Sequence, residues 1–276
     1  MIDSENISVM NIKNNNFPPE GSGGFIDIHC HCLADFDDGP SNISESILLC
    51  RALVEDNISF VVATPHQLGR FDGVNEAQAV RDAVNKLNSI LNDLEIPVKV
   101  VPGGEVRADE RICQFIEDDK ILTLADSRRY ILIELPHQVF IDIEPMIRAL
   151  VSMDIYPVIS HVERIPTLTK EPDILSRWIG DFAYLQITAS SLSGDFGLEA
   201  ERDAWDLLTS GWAHLVATDA HNVNSRRPKM KNAYELISRR LGEDLANRVC
   251  IHNPLRVLQG KDILSKSIIE ESRIGL

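Results

Sequence analysis

Histidine and acidic residues recur along this sequence at spacings that suit metal binding. His29 and His31 stand two positions apart, and so do Asp219 and His221. Side chains two residues apart on an extended segment point to the same side, so each pair can coordinate one ion. The full candidate set is His29, His31, Asp38, His66, Glu105, Glu134, His161, Asp219 and His221.

The composition of this set indicates which ions it suits. Imidazole and carboxylate ligands without thiolates favour zinc, iron or manganese over calcium. Nine candidates exceed the needs of one ion, so two or three ions that share a bridging carboxylate are expected. Such a cluster is typical of hydrolysis by metal-activated water.

The elements that must position these residues are read from hydrophobic patterning. Seven short apolar runs occur at 25–28, 60–63, 98–101, 130–133, 156–159, 184–187 and 214–217. Continuous apolar runs are typical of parallel strands buried on both faces. Six of the seven are followed by a candidate ligand. The carboxyl ends of parallel strands share one rim, which is where α/β barrels place their active sites.

Helical patterns fill the gaps between the runs. They are expected at 44–56, 198–210 and 229–241, after a capping box of Asn75 with Gln78, and from about Asp142. Repeated strand–helix units predict a parallel sheet, and seven of them favour a barrel that closes on itself. An open doubly wound sheet is the alternative. Residues 1–24 are predicted to be a flexible leader and residues 25–276 a single domain.

Any one of these residues alone would more often be a hydrogen-bonded loop residue than a ligand. The interpretation depends on their convergence at equivalent strand ends. His137 follows the fourth run and is a candidate substrate contact, whereas His214 and His252 are expected to be structural. Cys30 and Cys32 flank His31, and alternation should aim them away from the histidine pair.

Two arginines follow candidate ligands closely. Arg164 comes three residues after His161, and Arg226 comes five after His221. Guanidinium groups bind phosphate oxygens bidentately and stabilise charge on a transferring phosphoryl group. Surface ion pairing is the alternative role for both.

Bulk properties exclude several classes of function. The net charge of −15 disfavours binding to nucleic acid or to anionic lipid. No apolar run is long enough to span a membrane, and the amino terminus lacks the pattern of a secretory signal. Five irregularly spaced cysteines predict reduced thiols and a cytoplasmic location.

The sequence resembles the polymerase-and-histidinol-phosphatase (PHP) superfamily. Within it, the sequence is similar to the bacterial tyrosine-protein phosphatases of capsule and exopolysaccharide loci (CpsB/CapC-like). The matching segments are FIDIHCHCLADFDDGP, VVATPHQLGRF, GGEVRAD, ILIELP, VISHVERIP, SSLSGDFG and ATDAHNVNSRRP. They cover nearly all of residues 25–260.

The resemblance implies a distorted (β/α)7 barrel of the TIM-like type with three divalent ions, most naturally Mn²⁺, with Fe, Zn or Mg as alternatives. One ion would take His29, His31, Glu105 and Asp219. A second would share Glu105 with Glu134 and His161. The third would take Asp38, His66 and His221. Arg164, Arg226 and Asp38 are implied as catalytic, and the two arginines as phosphate-binding, with the doublet Arg226–Arg227 leaving open which of the two points inward.

The resemblance also implies an activity and a partner. The expected reaction is hydrolysis of phosphotyrosine on a protein, namely the tail of the tyrosine kinase that regulates polysaccharide synthesis and export. The alternative is a PHP phosphoesterase acting on a small phosphomonoester metabolite, and a third possibility is a silent metal-binding scaffold. The sequence leaves the oligomeric state open.

Overall fold

Buried apolar segments form the strands of the fold, as the patterning predicts. The computed structural model describes residues 24–180 and 182–264. In these ranges the strands are β1 Phe25–Cys30, β2 Ile58–Ala63, β3 His66–Gln67, β4 Lys99–Pro102, β5 Glu105–Arg107, β6 Tyr130–Glu134, β7 Tyr156–Ile159, β8 Tyr184–Thr188 and β9 Ala213–Ala217. All seven predicted runs are strands, and β3 and β5 are additional short strands.

The strands pair in parallel throughout. One sheet has the order β1-β2-β4 and the other the order β3-β5-β6-β7-β8-β9. The chain passes from the first sheet to the second after β2, through Thr64 and Pro65, and after β4, through Gly103 and Gly104. Side chains at either glycine would collide with Val62 or Gln67, so this passage requires glycine.

β1 and β9 approach each other where the two sheets meet. Cys30 and Ala220 form a parallel bridge, and the Asp219 N–H donates to the carbonyl of His29 at 2.8 Å. The buried Asp27 carboxylate accepts from the Thr218 N–H at 2.9 Å and from the Thr218 hydroxyl. The expected α/β fold with parallel strands is confirmed. The described residues form two ladders rather than one closed sheet, so the closed barrel stays a prediction.

Helices follow most strands and cover the sheets. They are α1 Ile43–Glu55, α2 Ala77–Asp93, α3 Ile112–Glu117, α4 Glu144–Ser152, α5 Pro166–Thr169, α6 Pro172–Gly180, α7 Leu198–Ser210, α8 Met230–Leu241, α9 Glu243–Asn247 and α10 Asn253–Leu258. The predicted helices at 44–56, 198–210 and 229–241 correspond to α1, α7 and α8. None of the helices in the described part of the chain is long and apolar enough to cross a membrane.

The predicted capping box of Asn75 and Gln78 is wrong. Helix α2 has Glu76 at its N-cap position, with no side-chain cap. The Asn75 side chain donates instead to the carbonyls of Phe36 and His66, both at 2.8 Å. These two bonds orient the Asn75 side chain towards tertiary carbonyls instead of towards the first turn of α2. At α4 the expectation holds, because the Asp142 carboxylate accepts from the Glu144 N–H at 3.0 Å.

The apolar core has an inner part that closes the amino-terminal side of the strands. Leu255 and Leu258 of α10 belong to the same buried cluster as Ile26 of β1 and Tyr130 of β6. The Tyr130 hydroxyl donates to the Lys261 carbonyl at 2.8 Å. This packing leaves the opposite rim, at the carboxyl ends of the strands, for polar side chains. The predicted leader lies outside the described residues except for Gly24, and the single-domain assignment stays a prediction.

Candidate metal centre

The nine candidate ligands converge on the rim at the carboxyl ends of the strands. The residues at or just after strand ends are His29 and His31 (β1), Glu134 (β6), His161 (β7), and Asp219 and His221 (β9), with Asp38 in the loop after β1. His66 and Glu105 lie in the short strands β3 and β5, which pair directly with each other. These two strands were not predicted, and they place both side chains on the rim.

Glu105 lies at the centre of the cluster. One of its oxygens, Oε2, is 3.4 Å from His29 Nε2, 3.5 Å from His31 Nε2 and 3.0 Å from His66 Nδ1. The other, Oε1, is 3.0 Å from His161 Nε2. A carboxylate with four imidazoles around it has the position expected of a bridging ligand.

Three groups of side chains bring ligand atoms within 4.8 Å of one another. The first is His29, His31 and Asp219. The second is His31, Asp38, His66 and His221. The third is Glu134, His137 and His161. His137 in the third group was expected to be a substrate contact rather than a candidate ligand.

The cluster has the unmet hydrogen-bonding capacity that a metal site requires. Within residues 24–180 and 182–264, buried atoms without a hydrogen-bond partner include His66 Nδ1, Glu105 Oε1, His161 Nδ1 and His221 Nε2. Buried polar atoms are normally satisfied, so their concentration here fits a group of cations that would complete their bonding. The donor set of nitrogen and carboxylate oxygen fits Mn²⁺, Fe, Zn or Mg in kind.

The protonation states also suit cation binding. Burial lowers the pKa of His161 and of His221 to about 4, which keeps both imidazoles neutral. Burial opposes ionisation of Glu105, but the neighbouring imidazoles of His29 and His161 lower its pKa well below the usual range. Burial also lowers the pKa of His66, but Asp38 and Glu105 raise it to about 9 overall. Metal binding must therefore displace protons from part of the cluster.

Two residues that the sequence did not point to hold candidate ligands in place. The Asp37 Oδ2 atom accepts from His31 Nδ1 at 2.6 Å and from the His66 N–H at 3.0 Å. The Gln186 Oε1 atom faces His29 Nδ1 at 3.0 Å and accepts from the His161 N–H at 3.1 Å. The position of Asp37 next to the candidate ligand Asp38 was a weak indication of its role. Nothing in the sequence around Gln186, which lies in an apolar strand, indicated a role at the site.

The two predicted arginines meet on one carboxylate oxygen. Asp219 Oδ2 is 2.5 Å from Arg164 Nη1 and 2.6 Å from Arg226 Nη2. Of the doublet, Arg226 lines the cavity that lies over the cluster, whereas Arg227 is exposed and is not part of its lining. The turn that carries Arg164 is fixed by buried Glu163, which accepts from the Thr188 N–H at 2.9 Å and the Ser191 hydroxyl at 2.7 Å.

An open cavity of about 500 Å³ lies over the cluster. Its lining includes six of the nine candidate ligands, the arginines Arg70, Arg107, Arg164 and Arg226, and also Phe71 and His137. A cationic mouth above ionised carboxylates can attract an anionic ester despite the net negative charge of the chain.

The remaining histidines and cysteines lie outside the cluster. His214 is buried, and its Nδ1 accepts from the Leu185 N–H at 3.2 Å, which is the structural role expected of it. His252 is exposed. All five cysteines are free thiols, and Cys30 and Cys32 are buried outside the three groups.

Comparison with known proteins places this site in a family. Residues 25–259 match the family model described as "Capsular polysaccharide synthesis, CpsB/CapC". The tyrosine-protein phosphatase YwqE of Bacillus subtilis is 35% identical over 230 residues, which are 80% of this chain and 86% of the relative. The putative tyrosine-protein phosphatase CapC of Staphylococcus aureus is 33% identical over 210 residues, which are 76% and 82% of the two chains.

A solved structure is also similar over most of the chain. It is one of the crystal structures of YwqE from Bacillus subtilis and CpsB from Streptococcus pneumoniae, which are described as metal-dependent tyrosine phosphatases. The TM-score is 0.82 at 34% identity, covering 87% of this chain and 97% of the other. On these matches, the chain belongs to the CpsB/CapC family of capsular polysaccharide synthesis.

Proposed function

We propose that this protein is a metal-dependent protein-tyrosine phosphatase, a phosphoric monoester hydrolase of capsule or exopolysaccharide synthesis. The observation that carries the proposal is the convergence of nine imidazole and carboxylate side chains beneath two arginines held on Asp219. The relatives named as tyrosine-protein phosphatases match the chain over most of its length, which supports the same activity.

Three divalent ions would bind at this site, and Mn²⁺ is the metal that we expect. His29, His31, Glu105 and Asp219 would hold one, Glu105, Glu134 and His161 a second, and Asp38, His66 and His221 the third. Bound there, the ions would lower the pKa of water and polarise phosphoryl oxygens. The proximity of β1 and β9 supports a distorted (β/α)7 barrel as the scaffold of this site.

The chain's own residues would bind and orient the ester. Because Asp219 holds Arg164 and Arg226 side by side, their guanidinium groups are preorganised for phosphate oxygens. Asp38 is half-exposed at the rim and contacts His66 and His221 at 3.3 and 3.4 Å, which suits a catalytic carboxylate near the leaving group. The conjugate acid of tyrosinate has a pKa of about 10, so this leaving group departs with little protonation.

The substrate would be phosphotyrosine in a protein, namely the tail of the tyrosine kinase that regulates polysaccharide export. Because the cavity is open, a phosphotyrosine side chain on a flexible peptide could reach the candidate ligands, which supports this substrate. The proposal places the enzyme in the cytoplasm, and five free cysteines support a reducing compartment.

The test measures turnover of metal-loaded and chelator-treated protein on phosphotyrosine peptides and on small phosphomonoesters. Metal analysis of the purified protein accompanies it, and Mn²⁺, Fe²⁺, Zn²⁺ and Mg²⁺ are compared. We expect Mn²⁺-dependent hydrolysis with phosphotyrosine peptides preferred. A small metabolite preferred by several orders of magnitude in kcat/KM would instead identify a metabolite phosphoesterase. Absence of turnover in protein that retains its metal would identify a scaffold.

A further inference from the structure

The turn between β3 and α2 places an aromatic and a cationic side chain on the cavity wall that metal binding does not use. The Phe71 ring stacks on the His66 imidazole, with centroids 5.6 Å apart and planes 12° apart. The Arg70 guanidinium lies 4.7 Å from the centroid of the Phe71 ring. Both side chains line the cavity, and that of Arg70 is 69% exposed.

This turn is held rigidly at its base. The Gln67 side-chain amide donates to the Asn75 carbonyl at 2.7 Å, and the Asn75 amide donates to the His66 carbonyl at 2.8 Å. The Phe71 N–H closes the turn on the Leu68 carbonyl at 3.0 Å, with Leu68 at φ 65°. A left-handed bulky residue is uncommon and persists where surrounding contacts fix it. A wall that is already ordered loses little entropy when a ligand packs on it.

Arg70 has the weakest ion pairing of the four cavity arginines. Arg164 and Arg226 share Asp219 within 2.6 Å, and Arg107 is 3.2 Å from Glu134. Arg70 pairs with Asp38, whose carboxylate is 3.9 Å away and also faces two imidazoles. Most of the Arg70 charge therefore faces the cavity mouth and solvent.

We infer that Phe71 and Arg70 form a recognition surface for aryl phosphate esters, in which Phe71 packs on the ring of the phosphorylated residue and Arg70 pairs with an acidic side chain beside it. The inference rests on the proposed phosphatase function and names two residues that would select its aryl substrate. An aryl ester can use both the apolar and the stacking contact of Phe71, whereas an alkyl ester presents no ring. Aromatic pairs contribute beyond their buried area, so this wall favours the aryl ester.

A purely structural role for Phe71 predicts a different result. If its ring only supported His66, then its loss would weaken every phosphate ligand equally and would lower metal content. The decisive quantity is therefore the ratio of affinities for an aryl and an alkyl ligand of the same charge.

The first experiment uses phenylphosphonate and methylphosphonate, bound to the Mn²⁺-loaded protein and measured by calorimetry. We expect wild type to favour phenylphosphonate, and Phe71→Leu to reduce that preference roughly 3- to 10-fold with metal content unchanged. Phe182→Leu is the matched control, because Phe182 is exposed near the start of β8, at the opposite end of that strand from the rim. An unchanged ratio in Phe71→Leu, or no preference in wild type, overturns the inference.

The second experiment tests Arg70 with peptides that carry the non-hydrolysable residue phosphonomethyl-phenylalanine. One peptide has glutamate beside this residue and the other has glutamine. We expect Arg70→Gln to reduce the preference for the acidic peptide roughly 2- to 5-fold at low salt. Arg239→Gln on α8, where Arg239 pairs with Glu235, is the control. An acidic preference that persists in Arg70→Gln contradicts the assignment.

Binding separates this inference from the proposed function. Loss of ring discrimination in Phe71→Leu with no phosphotyrosine hydrolysis by wild type would refute the phosphatase proposal and keep the recognition surface. Hydrolysis of phosphotyrosine by wild type, with ring discrimination unchanged in Phe71→Leu, would support the phosphatase proposal and refute the recognition surface.

Discussion

Asp37 orients His31 towards the other candidate metal ligands through a 2.6 Å hydrogen bond from the imidazole Nδ1 to the carboxylate Oδ2. Burial opposes ionisation of Asp37, but the His31 imidazole brings its pKa to about 2 overall. The ionised carboxylate fixes which ring nitrogen of His31 carries the proton and directs Nε2 to Glu105 and Asp219. Carboxylate–histidine pairs of this kind tune metal ligands in many proteins.

Replacing Asp37 by asparagine should therefore weaken metal binding without removing a ligand. We expect Asp37→Asn to lower the affinity for Mn²⁺ about 10- to 100-fold, because the amide orients the His31 ring less strongly. Titration of metal-free protein measures this affinity. Asp35→Asn in the same loop is the control, and wild-type affinity in Asp37→Asn would show that Asp37 does not position the ligand.

Asp219 should be indispensable for turnover. We choose Asp219→Asn because the residue has φ 52°, and asparagine accepts this left-handed backbone better than alanine. The amide is a poorer ligand and gives Arg164 and Arg226 no negative charge, so kcat/KM on a phosphotyrosine peptide should fall at least about 100-fold. Circular dichroism should show a folded protein. Turnover close to wild type would rule out Asp219 as a ligand.

The two arginines of the doublet should behave differently. Arg226→Ala removes a guanidinium that lies 2.6 Å from Asp219 in the cavity, and kcat/KM should fall about 100-fold because a preorganised phosphate contact is lost. Arg227→Ala should stay within about twofold of wild type, because its side chain is exposed and does not line the cavity. Steady-state kinetics of both variants on one peptide provide the measurement. Equal losses in the two would contradict the geometry.

His214 should make stability depend on pH below neutrality. Burial lowers its pKa to about 4 from 6.5. Between pH 6.5 and 4 the unfolded chain binds a proton that the folded chain does not, so stability falls as pH falls through this window. From pH 7 to pH 5 this linkage costs about 2 kcal/mol.

Urea unfolding with chelator present, at pH 7 and pH 5, measures that cost. His214→Gln lacks the titrating group, so its free energy of unfolding should fall less over the same interval, even if it is lower at pH 7. Titrating carboxylates affect both proteins and cancel in the comparison. Parallel pH dependences in the two proteins would show that His214 is not the linked group.

Much of the fold follows from local sequence. A parallel strand covered on both faces must be apolar along its length, so the runs ending near Ile28, Ile133 and Ile159 identify β1, β6 and β7. The carboxyl ends of such strands meet on one rim, which is why the sequence pattern alone groups His29, Glu134 and His161.

Other features depend on partners far away in the chain. Short strands such as β3 and β5 lack an apolar run. They are defined by their pairing with neighbouring strands, His66 with Glu105 and Glu105 with Leu132. The amide of Asn75 leaves the predicted helix cap because carbonyls of Phe36 and His66 come within reach in the folded chain.

The amino-acid sequence by itself determined the ligand types, the strand–helix alternation and the family resemblance, because these depend on side-chain chemistry and on short-range periodicity. Tertiary structure alone decided that Asp37 and Gln186 contact candidate ligands, that Arg226 rather than Arg227 lines the cavity, and that His137 lies with Glu134 and His161. The reason is directional: a hydrogen bond or an ion pair forms only where two side chains meet at about 3 Å, and that meeting is set by the packing of the whole chain.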